Sequence, residues 1–71
     1  MVHEGLPWTP AELRIIELIC QGLNPREIAQ MHRNSVYTIR THVTNARERV
    51  GAKTTAQLVA VYLRRENRAA A

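Results

Sequence analysis

Arg40, Thr41, Thr44, Asn45, Arg47, Glu48 and Arg49 set cations and hydrogen-bond donors at steps of three and four residues, the spacing that places side chains on adjoining faces of a helix. A guanidinium forks onto guanine O6 and N7 or onto phosphate oxygens, and a threonine brings a hydroxyl and a methyl to a base edge. The chemistry these types offer is recognition of a polyanion. Bond-making chemistry has no such support: there is no paired carboxylate set, Ser/His/Asp arrangement or phosphate-cradling glycine loop, so the chain does not read as an enzyme. His3, His32 and His42 with Cys20 lack the paired spacing of a zinc site, and neither a metal nor another cofactor is expected.

The charge balance agrees. Ten Lys and Arg against six Asp and Glu leave a formal charge of +4, which suits a polyanion or an acidic membrane surface. A membrane span is not expected, because no run of about 18 apolar residues occurs. A lone cysteine makes no internal disulfide, and no secretory apolar segment is seen, so the cytoplasm is the expected compartment. Cys20 itself reads as a small core residue rather than a redox sensor. The 71 residues provide for one small domain. With one Trp, two Tyr and no Phe, its core must be aliphatic side chains at helical spacing.

The elements that must position these groups are four helices. Met1 to Pro7 has no periodicity and reads as an irregular lead-in. Thr9-Pro10-Ala11-Glu12 is a capping box with proline at the first helical position, and Gly22 is a stop, so helix 1 covers about Pro10 to Gln21 with Ile15, Ile16, Leu18, Ile19 and Cys20 on its apolar face. Asn24-Pro25-Arg26-Glu27 repeats the start signal for a short helix 2, with Ile28, Ala29 and Met31 or His32 turned inward. Ser35 caps helix 3 over Val36 to Val50, whose stripe Ile39, Val43, Ala46 and Val50 ends at Gly51. Thr54 or Thr55 opens helix 4, which has apolar residues on more than one side and therefore a surface for a partner. The domain is placed at residues 8–64, with a frayed basic and alanine-rich tail at 65–71.

A very short helix, a turn of about three or four residues and a longer helix with polar exposed faces form a helix-turn-helix, whose second helix enters the DNA major groove. Arg40 then suits guanine, and Thr41 and Thr44 suit a thymine methyl or another base edge.

Trp8-Thr9-Pro10-x-Glu12, Gly22-Leu23-Asn24-x-x-Glu27-Ile28-Ala29, Ser35-x-x-Thr38-Ile39-Arg40-x-His42-Val43 and Val50-Gly51-Ala52-x-Thr54-Thr55-x-Gln57 together resemble the LuxR (GerE-like) helix-turn-helix domain over about Trp8 to Val61. The resemblance implies an all-α, four-helix fold, a third helix that reads the groove through Arg40, Thr41 and Thr44, and a fourth that dimerises through Gln57, Ala60, Val61 and Arg64. It further implies phosphate contacts from Asn24, Arg26, Ser35, Tyr37, His42, Arg47, Lys53, Thr54 and Thr55. The implied function is double-stranded DNA binding in transcription regulation, as a homodimer on the bacterial nucleoid, with RNA polymerase or another regulator as further partners.

The chain departs from that family at His32-Arg33-Asn34, where Leu-Gly-Ile or similar usually precedes the serine. Either Arg33 takes a left-handed conformation, at roughly 1 kcal/mol, or Asn34 moves the bend by one residue. Leu13 stands where the family usually has a charged residue, and is expected exposed on helix 1. Two other readings follow. One is a promoter-binding region of a sigma-factor type, tested by core polymerase binding; the other is a protein-interaction module or anti-regulator that uses Leu13 and helix 4 to hold another helix-turn-helix protein. With no receiver or ligand-binding segment in the 71 residues, a regulating signal is expected to come through expression level, a partner or a longer parent chain.

Overall fold

The computed structural model describes residues 7–70, so all of the lead-in except Pro7 lies outside the described residues. Four helices follow in order: α1 Pro10–Cys20, α2 Pro25–His32, α3 Val36–Val50 and α4 Thr55–Ala70. No strand occurs among the described residues.

Each start follows from local chemistry. Thr9 Oγ1 accepts from the Glu12 N–H while the Thr9 N–H donates to Glu12 Oε1, and Asn24 and Glu27 repeat this reciprocal pair at α2. Proline occupies the first turn of both helices, where its missing donor has no partner to lose. α3 starts on Ser35 Oγ, which accepts from the Thr38 N–H.

The ends share one geometry. Leu23 N–H to Leu18 O, Asn34 N–H to Ala29 O and Ala52 N–H to Arg47 O each close a helix with the six-residue bond that follows a left-handed residue. Glycine supplies that residue at Gly22 and Gly51, and Arg33 supplies it between α2 and α3, at φ 53 and ψ 47. The bend therefore stays at Arg33, and Asn34 buttresses it by accepting the Ser35 N–H on Oδ1 at 3.0 Å.

α1 and α3 each pack against all three of the other helices. A helix touched on three sides needs an apolar surface on most of its circumference. That is why Leu13, expected exposed, is buried together with Ile15, Ile16 and Leu18. The burial removes one of the two contact points on which the protein-interaction reading stood. From the other helices Ile28, Ala29, Ile39, Val43, Ala46, Leu58 and Tyr62 complete the core, with Trp8 closing one end.

Three expectations about inward residues are corrected. Cys20 is exposed in the last turn of α1, and partial burial and the Glu17 carboxylate push its thiol up, so it stays a neutral thiol. Met31 and His32 are exposed as well: the chain leaves α2 at Arg33, and no element covers that last turn. At the other end α4 runs on to Ala70 without a break at residue 64, and the Arg65 guanidinium sits 5.9 Å from the centre of the Trp8 ring, which gives the basic stretch a packing partner.

Candidate nucleic-acid interface

With Ile39, Val43 and Ala46 turned into the core, α3 presents Arg40, Thr41 and Thr44 to solvent, and all three are exposed. Their hydrogen-bonding states differ. Thr41 Oγ1 donates to the Tyr37 carbonyl at 2.9 Å, so it offers a methyl and lone pairs rather than a free proton. Arg40 and Thr44, one turn apart, line a groove of about 470 Å³ together with Arg47 and Thr55. Arg47 is half-buried; its Nε is closed off from solvent and has no hydrogen-bond partner.

The four helix starts differ in charge. The first turns of α1 and α2 carry Glu12 and Glu27, whereas those of α3 and α4 carry no acidic residue. A helix start holds a partial positive charge and unpaired N–H groups that suit an anion, and at α3 and α4 no first-turn carboxylate offsets it. Tyr37, in the first turn of α3, is 79% exposed.

Several residues expected at phosphates already serve as caps. Asn24 Oδ1 accepts from Glu27 N–H, and the Glu27 carboxylate accepts the Asn24 N–H, which brings negative charge to that spot. Ser35 Oγ also donates to Thr38 Oγ1, and Thr54 Oγ1 accepts from the Gln57 N–H. Arg26, Lys53 and Thr55 are exposed around them, and His42 is half-buried.

Behind α3 lies a second set of contacts, invisible in the sequence. Trp8 Nε1 donates to the Ala46 carbonyl at 3.0 Å, and Arg49 Nε donates to Glu12 Oε1 at 2.8 Å. Glu12 is only 3% exposed, and its buried oxygen is paired by this cation and by the Thr9 N–H, without which burying it would be costly. Arg49, grouped with the polyanion-facing cations on type and spacing alone, is therefore committed to the fold.

Residues 7–62, over three quarters of the chain, match the family model described as bacterial regulatory proteins, luxR family. The chain belongs to the LuxR family. No individual curated protein and no solved structure matches it significantly. A LuxR-family helix-turn-helix domain binds DNA in transcription regulation and is not an enzyme. Among the described residues no cluster of His, Cys, Asp and Glu could hold a metal ion, and no helix is long and apolar enough to cross a membrane.

On α4 of this LuxR-family domain, Gln57, Ala60 and Arg64 are exposed, while Val61 packs against the core. The Gln57 side chain accepts the Lys53 N–H at 2.6 Å, so it also braces the turn before the helix. Leu63, 47% exposed, stands beside this set and was not among the residues expected there. Its signal in the sequence is the three-residue step from Ala60.

Proposed function

We propose that this domain reads a specific duplex sequence with α3 in the major groove, where Arg40 contacts guanine and Thr41 and Thr44 contact neighbouring base edges. The observation that carries the reading is one face of α3, on which Arg40 and Thr44 are exposed beside Arg47 and two helix starts without first-turn acids. Phosphates are held by the Arg26, Tyr37, His42, Arg47, Lys53 and Thr55 side chains and by first-turn N–H groups near Ser35 and Thr54, while Asn24 serves through the cap that sets Arg26 beside the backbone. Two copies pair through α4 at Gln57, Ala60 and Arg64, with Val61 beneath, and contact half-sites about one helical turn apart. The domain acts in the bacterial cytoplasm on the nucleoid.

Sequences selected from random DNA supply the specific site for the test. Arg40→Ala should cost about 1–3 kcal/mol on that site and relax preference at one base position. Arg47→Ala should weaken specific and random DNA alike and lower the salt slope by about one. Equal losses on both DNAs for Arg40→Ala would remove it from base reading.

A further inference from the structure

We propose that the groove beside α3 is also a binding site for a small amphiphilic oxyanion, a carboxylate or phosphate head on a short apolar body, whose occupancy excludes DNA. Its volume of about 470 Å³ lies within the range of small-molecule sites, about 300–1,000 Å³. Two kinds of surface meet in it.

The polar side consists of Arg40, Thr44, Arg47 and Thr55: two guanidinium groups and two hydroxyls, with no carboxylate lining the space. Arg47 Nε is the donor that asks for an acceptor, since it is out of reach of solvent and bonded to nothing. Buried N–H donors in folded proteins are nearly always paired, and a turn of the half-buried Arg47 side chain toward an oxyanion in the groove brings this donor to a partner in a charge-assisted bond.

Ile19, Leu23, Pro25 and Val43 make the apolar side. Ile19, Leu23 and Val43 have core neighbours on their inner sides, but a backbone phosphate of DNA satisfies the arginines without covering the part of this wall that faces the groove; an alkyl or aryl body covers it and gains from the area removed from water. The ligand therefore needs both halves. Because Arg40 and Thr44 line the same space that α3 presents to base edges, a ligand lying on them and a duplex compete. That competition rests on the DNA-reading role proposed above, whereas binding to the groove does not.

The test is a titration of the isotope-labelled domain with octanoate, followed by amide and arginine Nε resonances in the absence of DNA, with acetate and octanol as the head and body alone. Saturable shifts confined to Ile19, Leu23, Val43, Thr44 and Arg47, with octanoate at least tenfold tighter than either half, are expected. Arg47→Leu, with its helix content checked by circular dichroism, should lose roughly tenfold or more in octanoate affinity, and Arg47→Lys should lose less. Equal effects of acetate and octanoate, or shifts spread over all basic residues, would overturn the site. In a second arm octanoate should displace a bound duplex in a mobility-shift assay. Groove binding without displacement would overturn the exclusion of DNA alone, and a domain that binds no duplex would fail the DNA reading while leaving the groove result standing.

Discussion

At the scale of the residue, the turn into the reading helix is the point of strain. Arg33 holds a left-handed backbone at φ 53, which costs an L-residue roughly 1–2 kcal/mol. Its N–H donates to Gln30 O, and the Asn34 N–H to Ala29 O, so the bend is held by the bonds on either side of it. Arg33→Gly should raise the unfolding free energy measured in urea by about 0.5–1 kcal/mol, after allowing for the larger freedom of glycine in the unfolded chain. Unchanged or lower stability would mean that the Arg33 side chain contributes more than its backbone costs. The sequence allowed two sites for this bend, because Asn34 tolerates a left-handed conformation better than Arg33 does. What decides it is the position at which Ser35 must stand to cap α3, with Asn34 Oδ1 holding the Ser35 N–H.

At the scale of the element, the joint of α1 with α4 positions α3 from behind. Tyr62 lies in it, with its ring 6.1 Å from that of Trp8. Burial of the phenol, and then the carboxylates of Glu66 and Glu17, push its pKa up to about 12 from an ordinary 10. A group whose folded pKa is raised favours the protonated form in the folded state, so its contribution is intact below about pH 10 and is lost as the pH rises toward about 12. Trp8 is the one tryptophan of the chain and adjoins the ring, so its fluorescence reports this joint. Thermal melts followed on Trp8 should show stability falling over that window, and Tyr62→Phe should flatten the fall; an equal fall in the variant would assign it to other groups. The helices themselves were legible from caps and stripes: Thr9, Asn24 and Ser35 open them and Gly22 and Gly51 close two of them, all through bonds within a few residues. The inward faces of α1 and α2 were less so. Leu13 and Met31 exchange the burial that their types and positions suggest, because burial depends on which neighbours cover a turn.

At the scale of the whole molecule, the charge of +4 and the exposed face of α3 act as one electrostatic surface. The logarithm of the affinity for duplex DNA should therefore fall linearly with the logarithm of salt concentration. A second exposed surface lies on α4, whose exposed Ala60 has Leu63 one turn on and Arg64 beside it. Ala60→Glu should leave the unfolding free energy unchanged within about 0.5 kcal/mol, as is usual for an exposed substitution. By sedimentation it should abolish pairing of two domains on a two-half-site duplex while sparing binding to one half-site. Retained pairing would move the dimer contact off α4.

Local sequence was enough for the four helices, their order, the stripe of α3 that faces the core and hence the residues Arg40, Thr41 and Thr44 that face outward. Those features depend on hydrogen bonds and side-chain periods that repeat within four or five residues of chain. The tertiary structure alone decided that Arg49 pairs with Glu12, that Trp8 anchors α3 through the Ala46 carbonyl and that Arg47 shares a groove with Thr55. Such pairs join residues far apart in the chain, and no local spacing encodes them; they exist because packing brings α1, α3 and the start of α4 to one place.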